Sequence, residues 1–390
     1  MTRPTLDSTS PPVLPMTFTP DDAPHLAHAL RLAERGQYTT APNPNVGCVL
    51  VREGVVVGEG WHEVAGGPHA EIVALCAAGE RARGATAYVT LEPCAHQGRT
   101  GPCAKALVNA GINRVVAAMT DPNPAVAGKG FAILRAAGIS TESGLMQAEA
   151  EALNVGFLTR MRMGRPWVTV KLGMSLDGRT ALANGESKWI TGECARRDVQ
   201  FLRARHQAIL TGIGTVLADD PQLTVRLKDA DWPLFLNPAL YRSPLRVVLD
   251  SQRRLPLGSK LADGSTPTLV CYSGKRERFN EQKTAGPGMI TALRCGDGDR
   301  VDLALVLAAL AERQINAVLV EAGATVAGAF LQAGLVDELV FYIAPTLLGD
   351  SARPLLHLPV FTALPQCPQL KLLEVRQLGE DLRLTLRPLS

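Results

Sequence analysis

Nonpolar residues recur with two different spacings in the first third of the chain. Over 21–36 they follow a helical period, whereas the short runs 48–51 and 55–60 flank a Glu-Gly turn and predict a hairpin of two strands. Further short nonpolar runs, 85–91 and 115–118, are each followed by a segment with helical spacing. Strands that alternate with helices in this way predict an α/β domain of three layers.

A second series of nonpolar runs starts after an Arg-Pro pair at 165–166. The strands that it predicts are 167–172, 208–211, 245–250, 317–321 and 337–345, with a terminal hairpin over 370–386. Because 390 residues exceed one ordinary domain, we expect two. The expected division is a disordered extension at 1–20, a first domain at 21–145, a linker helix at 146–166 and a second domain at 167–390.

The composition is that of a globular protein without a marked charge. Hydrophobic residues make up 46% of the chain and charged residues 20%, and 40 basic against 37 acidic side chains leave a net charge of +3. This scattered charge argues against nucleic acid as a partner, and no nonpolar run approaches the roughly 18 residues of a membrane span. Eight dispersed cysteines and a first segment without a targeting pattern favour a reduced, cytoplasmic protein.

Four residues between 69 and 103 form the pattern of a catalytic zinc site. His69, Cys94 and Cys103 offer one imidazole and two thiols, which leaves the fourth position of a tetrahedral ion for water. Glu71 follows two residues after the histidine, where a carboxylate can take a proton from that water. The general signature of zinc deaminases has two residues between its cysteines, whereas this chain has eight. We predict a hydrolytic deaminase site with an altered spacing.

A structural zinc site is the simpler alternative, because structural ions are usually closed by four protein ligands. His96, between the two thiols, is the residue that would complete such a set. The catalytic hypothesis is favoured because Glu71 has a chemical task only where a water is present.

Two other segments of the first half suit contact with a substrate. The polar, glycine-rich loop 97–102 suits a phosphate or a pyrimidine, and Asn43 suits the edge of a pyrimidine. Plain turns have the same composition, so both segments could equally be turns without a binding role.

Two segments of the second half suit a nucleotide cofactor. A predicted strand is followed by Ser251, Arg253 and Arg254, whose hydroxyl and guanidinium groups can hold a ribose 2′-phosphate. An equally weighted explanation is that these are ordinary surface arginines without a ligand. Small residues over 322–330 open a predicted helix, so backbone amides can approach a pyrophosphate there. Glu321 ends the preceding strand and is expected to face the same crevice.

The chain resembles the bifunctional deaminase–reductase family of riboflavin biosynthesis from about residue 21 to its end. The segments that carry the resemblance are 42–47, 69–71, 94–103, 171–180, 189–191 and 217–221. In this family the spacing of eight residues between the thiols is the usual one. The resemblance implies a cytidine-deaminase-like N-terminal domain and a dihydrofolate-reductase-like C-terminal domain. It also implies one zinc ion, NADPH and a homodimer.

Two consecutive reactions follow from the resemblance. The first domain would remove an amino group from a diaminopyrimidinone that carries a ribosylamino 5′-phosphate, with Glu71 moving protons. The second would use NADPH to reduce the ribosyl group to ribityl. Implied cofactor contacts are Gly173, Trp189, Thr215, Asp219, Ser251, Gly323, Ala324, Thr325, Val326, Ala327, Gly328 and Ala329. Implied substrate contacts in the second domain are Ser187, Arg203, Leu223, Arg226 and Glu321. Lys171 and Asp177 are both open candidates for the proton donor to the sugar.

Two other functions compete with this one. A zinc deaminase that acts on RNA needs a basic groove and aromatic stacking platforms, which a net charge of +3 and 5% aromatic residues disfavour. A nucleotide-binding regulatory module with structural zinc would give Glu71 no task. Under that alternative, Glu71→Gln would leave every measurable property intact.

Overall fold

The structure is a computed structural model that describes residues 18–95, 101–123, 126–274 and 290–389. Most of the extension 1–20 and most of the loop 97–102, for which predictions were made, lie outside these residues. The chain folds into two compact units. The first contains the N-terminal residues through Glu34 with Val46–His62 and Pro68–Glu151, and the second contains Arg35–Asn45, Glu63–Gly67 and Ala152–Ser390.

Helices and strands alternate through the first unit, as the nonpolar pattern predicts. Their order is α1 (Asp22–Ala33), β1 (Gly47–Arg52), β2 (Val55–Trp61), α2 (Ala70–Ala78), β3 (Thr86–Val89), α3 (Cys103–Asn109), β4 (Arg114–Ala117), α4 (Lys129–Ala136), β5 (Ser140–Ser143) and α5 (Gln147–Leu153). The strands form one sheet in the order β2-β1-β3-β4-β5. β1 runs antiparallel to β2 and β3, whereas β3, β4 and β5 are parallel, so the predicted hairpin is confirmed.

Alternate residues of this sheet pack against helices on opposite faces. Leu50, Ala87 and Val115 belong to a buried cluster with residues of α2, α3 and α4. On the other face, the Tyr88 hydroxyl donates a hydrogen bond of 2.8 Å to Asp22 in the first turn of α1. Helices on both faces of one sheet give the three layers that the sequence predicts.

One buried carboxylate anchors α1 to the sheet. Asp22 is fully buried and accepts hydrogen bonds of 2.7 and 2.8 Å from the Arg114 guanidinium on β4. Where β1 passes under the helix, a β-carbon on Gly47 would lie 2.0 Å from the Ala29 carbonyl oxygen, so only glycine permits this approach. The first unit therefore holds its outer helix by an ion pair and by close backbone packing.

The second unit contains a larger sheet with its own helices. Its elements are α6 (Val155–Met163), β6 (Trp167–Ser175), β7 (Arg179–Ala181), α7 (Glu193–Ala204), β8 (Ala208–Gly212), α8 (Ile213–Asp219), β9 (Leu245–Leu249), β10 (Thr268–Tyr272), β11 (Ile290–Arg294), α9 (Leu303–Glu312), β12 (Ala317–Val320), α10 (Ala324–Gln332), β13 (Glu338–Ala344), β14 (Arg353–Pro354), β15 (Leu370–Leu378) and β16 (Asp381–Pro388). The predicted central strands and the terminal hairpin are confirmed. β7 and β14 form a separate pair of short strands.

The large sheet has the order β11-β10-β9-β8-β12-β6-β13-β16-β15. All neighbouring strands from β11 to β13 are parallel, and β16 and β15 add an antiparallel edge. Leu210 and Val320 on one face pack with α9 and α10, whereas Ile209 and Leu319 on the other pack with α8 and α7 respectively. Helices on both faces explain why the central strands are continuously nonpolar.

The segment 146–166 contains two helices, not the single linker helix that the sequence predicts. α5 and α6 are separated at Asn154, whose backbone leaves the helical region with φ −120° and ψ 21°. The Asn154 side chain accepts a hydrogen bond of 2.7 Å from the Asn45 backbone N–H and donates one of 3.0 Å to the Asn45 carbonyl. These bonds to a distant part of the chain favour a break that local composition does not reveal. Within the described residues, no helix has both the length and the nonpolar character needed to span a membrane.

Candidate active sites

The three predicted zinc ligands lie together in the first unit. His69 immediately precedes α2, and Cys103 is the first residue of α3. Cys94 lies in the loop after β3, and its Sγ accepts a hydrogen bond of 3.3 Å from the Cys103 backbone N–H. His69 Nδ1 is 3.5 Å from the Cys94 Sγ and 3.3 Å from the Cys103 Sγ. The prediction that all three lie at or near helix N-termini is confirmed.

These three side chains fit a zinc ion. Their ligand atoms all lie within 4.8 Å of one another, and sulfur with imidazole nitrogen is a donor set that zinc prefers. No fourth histidine, cysteine or carboxylate joins the group in the part of the chain that is described, from which His96 is absent. His62, whose ring centre is 5.4 Å from that of His69, has its Nδ1 2.9 Å from the Pro68 carbonyl oxygen. Three protein ligands from this set would leave one tetrahedral position for water.

Glu71 lies beside this cluster in the first turn of α2. Only 3% of its surface is exposed, and burial raises the pKa of its carboxyl group to about 7. Cys94, His69 and Cys103 also shift the pKa of this carboxyl group, so it lies next to the ligands. A nearby metal cation opposes the effect of burial, because positive charge favours the ionised carboxylate. A carboxyl group at this position suits proton transfer near neutral pH.

The sulfur of Cys94 is surrounded by hydrogen-bond donors. Contacts with the Cys103 thiol and with His69 lower the pKa of Cys94, although burial alone would raise it. The same contact with Cys94 raises the pKa of His69. Coordination to zinc deprotonates a thiol outright, so the arrangement favours the anionic form that a metal requires.

The second unit contains a charged cluster where β12 ends, beside the middle of β6. Glu321 directly follows β12 and accepts hydrogen bonds from Arg203 of α7 at 2.5 Å on Oε1 and 2.9 Å on Oε2. Although burial raises it, the charge of Arg203 lowers the pKa of Glu321 to about 2. Lys171 and Arg226 also lower that pKa, so both cations lie near Glu321. Three of the predicted substrate residues therefore lie together: Arg203, Arg226 and Glu321.

Lys171 points from β6 into this cluster. Its Nζ is 5.6 Å from the centre of the Tyr342 ring, and the Tyr342 hydroxyl donates a hydrogen bond of 2.7 Å to Asp198. Burial lowers the pKa of Lys171, and the Glu321 carboxylate opposes that change. A β-carbon on Gly173 would lie 4.0 Å from Lys171 Nζ, so the predicted cofactor residue Gly173 borders the same cluster.

Other predicted cofactor residues form smaller groups in the second unit. A β-carbon on Gly323 would be 4.0 Å from Thr215 Oγ1, which brings the start of α10 next to α8. The Trp189 ring is 70% exposed and lies 4.9 Å from the Arg196 guanidinium carbon. Lys188, between the predicted Ser187 and Trp189, donates from Nζ to the Asp219 carbonyl at 3.5 Å.

The segment after β9 has a defined arrangement. Ser251 Oγ accepts a hydrogen bond of 3.2 Å from the Val301 backbone N–H. Arg253 has a positive φ of 57°, and its guanidinium carbon lies 3.6 Å from the centre of the Tyr272 ring on β10. These contacts hold a serine and an arginine at the carboxyl end of β9, beside its parallel neighbour β10, and open α/β sheets bind ligands at such strand ends.

The fold buries three of the predicted contacts. Ala327 and Gly328 lie on the inner face of α10, and a β-carbon on Gly328 would be 2.1 Å from the His357 carbonyl oxygen. Leu223 is 3% exposed and packs in a nonpolar cluster with Ile209. The glycine at 328 is thus explained by helix packing, and a substrate could meet Leu223 only through its backbone. The remaining residues from Gly323 to Ala329 keep some exposed surface.

Asp177 and Lys171 differ in their suitability as proton donors. Asp177 accepts hydrogen bonds from the Ser175 hydroxyl and from the backbone N–H groups of Leu348 and Gly349. Led by the bond from Ser175, these contacts lower the pKa of Asp177 to about 2, so it remains ionised at neutral pH. Asp177 therefore holds two loops together, and Lys171 is the better candidate.

Asn43 lies ahead of β1, in a segment that belongs to the second unit, Arg35–Asn45. Its backbone N–H donates a hydrogen bond of 2.9 Å to the Thr40 carbonyl, which is the turn geometry that the alternative explanation predicts. The role of its side chain toward a pyrimidine stays a prediction.

Two residues near the sites received no role from the sequence. Glu92 is buried in the loop that carries Cys94. In the sequence, the feature that could have drawn attention to it is a charged residue at the end of a nonpolar strand. Arg196 lies against the Trp189 ring seven residues further along the chain, a spacing without a recognisable motif.

Comparison with known proteins identifies two domains. Residues 20–119 match the model of the cytidine and deoxycytidylate deaminase zinc-binding region. Residues 166–384 match the model of the RibD C-terminal domain. The predicted α/β fold classes of both domains are confirmed.

Proteins of similar length match almost the whole chain. The riboflavin biosynthesis protein RibD of Escherichia coli is 52% identical, covering 94% of this chain and 99% of that protein. RibD of Haemophilus influenzae is 50% identical, covering 96% and 99%.

Solved structures also match almost the whole chain. RibD of Acinetobacter baumannii superposes with a TM-score of 0.86 at 48% identity, covering 95% of this chain and 99% of that one. A diaminohydroxyphosphoribosylaminopyrimidine deaminase/5-amino-6-(5-phosphoribosylamino)uracil reductase of Thermotoga maritima has a TM-score of 0.80 at 33% identity, covering 94% and 99%. None of these comparisons supports an RNA-acting deaminase or a regulatory module.

Proposed function

The chain belongs to the RibD family of riboflavin biosynthesis proteins, and on that premise we propose that its two units catalyse consecutive reactions on one phosphorylated pyrimidine. The enzyme is a zinc-dependent deaminase and an NADPH-dependent reductase. The first unit hydrolyses an amino group from 2,5-diamino-6-(5-phosphoribosylamino)pyrimidin-4(3H)-one. The second unit reduces the ribosyl side chain of the product to ribityl.

In the deamination, His69, Cys94 and Cys103 hold the zinc ion. Zinc bound there lowers the pKa of a water molecule and thereby supplies a nucleophile near neutral pH. Glu71 accepts a proton at its carboxylate and delivers it to the departing amino nitrogen, which leaves as ammonia. Asn43 is assigned to the edge of the pyrimidine.

In the reduction, NADPH supplies the hydride, and the protein orients both partners. Arg203 and Arg226 are suited by their charge to the phosphate of the substrate. Glu321 fixes the Arg203 guanidinium through two hydrogen bonds, so the cation is oriented before the substrate arrives. Lys171 delivers a proton from Nζ to the opened sugar. The segment of Ser251 and Arg253 binds the 2′-phosphate of NADPH.

The observation that carries this proposal is the cluster of His69, Cys94 and Cys103 with Glu71 buried beside it. The test supplies the diaminopyrimidinone phosphate and follows ammonia release and NADPH consumption separately. Both signals are expected, with ammonia appearing first. Removal of zinc by a chelator is expected to stop ammonia release, while NADPH oxidation continues when the deaminated intermediate is supplied. NADPH consumption without ammonia release from the diaminopyrimidinone would contradict the assignment.

We further propose that the enzyme is a homodimer, with the C-terminal hairpin as part of its interface. β15 lies at the edge of the large sheet, and Leu372, Leu373 and Val375 on it are 53%, 43% and 52% exposed. An edge strand with exposed nonpolar side chains is a surface that soluble proteins usually cover. Light scattering after gel filtration is expected to give twice the chain mass for the parent and a lower mass for Leu373→Asp. A monomeric parent would contradict the proposal.

A reducing compartment such as the cytoplasm suits the cysteines of this chain. All eight are unpaired, and two of them are proposed zinc ligands that require free sulfur. Fractionation of the producing cells is expected to place the enzyme in the cytoplasmic fraction. Its recovery from an oxidising compartment with full zinc content would contradict the proposal.

A further inference from the structure

A buried carboxylate stands two residues before the zinc ligand Cys94. Glu92 is 3% exposed and lies in the loop between β3 and Cys94. Each of its side-chain oxygens accepts two hydrogen bonds from backbone N–H groups. Oε1 accepts from Gly130 at 2.9 Å and Phe131 at 3.3 Å, and Oε2 accepts from Gly128 at 2.9 Å and Asp121 at 3.2 Å.

These donors belong to the segment that enters α4. Gly128 immediately precedes the helix, and Gly130 and Phe131 lie in its first turn. The first N–H groups of a helix lack partners within the helix, and a carboxylate at this end is favoured by the helix dipole. Asp121 lies beyond the end of β4. Glu92 thus connects the loop of Cys94 to β4 and α4 at once.

The backbone next to Glu92 is held equally closely. A β-carbon on Gly130 would lie 1.9 Å from the Pro93 carbonyl oxygen, so α4 meets this loop backbone to backbone. On its other side, the Cys94 carbonyl accepts a hydrogen bond of 3.2 Å from the Ala104 backbone N–H of α3. The residue that carries the zinc ligand is therefore fixed between two helices, and Glu92 supplies the polar part of one of these attachments.

We propose that Glu92 is a positioning residue for the Cys94 thiolate in the deaminase site. Its carboxylate fixes the backbone from which the thiolate reaches the zinc ion, without touching the ion. Replacement by glutamine puts an amide NH₂ group in place of one oxygen. Two buried N–H groups then face a donor instead of an acceptor, and the loop is free to shift. A displaced Cys94 sulfur binds zinc less tightly while the rest of the protein stays folded.

The test measures zinc affinity of the full-length chain by competition with a chromophoric chelator. Glu92→Gln is expected to weaken zinc binding by about 10- to 100-fold, the usual effect of losing a group that orients a metal ligand. Glu92→Asp keeps the charge with a shorter reach, so a smaller loss is expected, and it serves as the test if Glu92→Gln does not fold. NADPH oxidation of the supplied deaminated intermediate is expected to match the parent in both variants.

The matched control is Asp22→Asn, which alters another buried carboxylate of the same unit that anchors α1 instead of the Cys94 loop. It is expected to lower the stability of the unit and to leave zinc affinity unchanged. Parent-like zinc affinity in both Glu92 variants, or an equal loss in Asp22→Asn at equal stability, would overturn the positioning role.

The inference rests on the proposed zinc site, which the zinc affinity of the parent chain tests separately. A parent that binds no zinc overturns both, whereas a parent that binds zinc no more tightly than Glu92→Gln overturns only this role.

Discussion

The two proposed active sites of this chain are built from different kinds of charge. The first combines His69, Cys94, Cys103 and Glu71, groups that gain or lose protons within a few pH units of neutrality. The second is organised around the ion pair of Arg203 and Glu321, in which the arginine stays charged at every ordinary pH. Metal ligands with one buried carboxyl group suit a hydrolysis in which Glu71 carries the protons, whereas a pre-formed ion pair suits the binding and orientation of a phosphorylated substrate. The difference in charge reflects a difference in the work of each site.

This comparison predicts that the two activities can be separated by substitution. The largest effect is expected at Glu71. Glu71→Gln keeps the shape of the side chain but cannot accept a proton, so ammonia release should fall by about 100- to 10,000-fold. Ammonia release, zinc content and NADPH oxidation of the supplied deaminated intermediate are measured side by side. Zinc content and NADPH oxidation are expected to remain at the parent values.

The Glu71 result separates the competing functions. Loss of bound zinc in Glu71→Gln would show that the carboxylate is not purely catalytic. Ammonia release at the parent rate would contradict the role of Glu71 as the proton carrier.

A change in the fixed charges should have the opposite selectivity. Arg203→Lys keeps the positive charge but loses the bidentate contact with Glu321, so the kcat/KM of reduction should fall by about 10- to 100-fold. Deamination is expected to be unaffected. The control is Arg197→Lys on the same helix, because Arg197 forms an exposed ion pair with Asp231 and should have little effect on either activity. A similar loss in both variants would point to damage of α7 instead of the ion pair.

The cofactor segment should discriminate NADPH from NADH. Arg253→Gln removes a cation expected to bind the 2′-phosphate, so kcat/KM for NADPH should fall by about tenfold, whereas kcat/KM for NADH should stay constant. Arg242→Gln is the control, since this exposed arginine precedes β9 and lies away from its carboxyl end. Equal kcat/KM for the two cofactors in the parent enzyme would contradict the prediction.

The smallest expected effect concerns the stability of the second unit in mild acid. Burial lowers the pKa of His206 to about 4, from an ordinary value of 6.5. Because the unfolded chain binds the proton more readily, His206 contributes stability above pH 6.5 that is lost as the pH falls toward 4. The free energy of unfolding should decrease by roughly 1 kcal/mol per pH unit within this window.

Urea unfolding followed by tryptophan fluorescence between pH 7 and about pH 5 measures this slope. His206→Gln has no titrating ring and should show a flatter dependence. The Asp22 pair of the first unit contributes no slope in this range, because Arg114 holds the pKa of Asp22 below its usual value of 3.8. An unchanged slope in His206→Gln would assign the pH dependence to other groups.

The zinc site was predictable because its chemistry is local in sequence. His69 and Glu71 are two residues apart, and the spacing of the thiols is part of the family resemblance. The helices that begin at these residues follow from the nonpolar period. Glu92 was not predictable, because its four partners lie in a segment about 30 to 40 residues later, and only the packing of α4 against the loop brings them together.

The second site shows what a resemblance transfers and what it does not. It carried over Arg203 and Glu321, which the fold pairs although 118 positions separate them. It could not tell which side of α10 faces the crevice, so Ala327 and Gly328 were predicted with their neighbours and are buried. A turn of helix places consecutive residues on different faces, and only the tertiary contact with His357 decides which face is inside.

The order of strands in the large sheet has a consequence for synthesis of the chain. β6 lies between β12 and β13, yet β12 begins about 140 residues after β6 ends. At a translation rate of roughly 5–20 residues per second, this nonpolar central strand waits roughly 7–30 s for its neighbours. The first unit completes its sheet within the first 143 residues and can fold while β6 is still emerging. The late closure of the second sheet leaves its nonpolar strands exposed for longer during synthesis than those of the first.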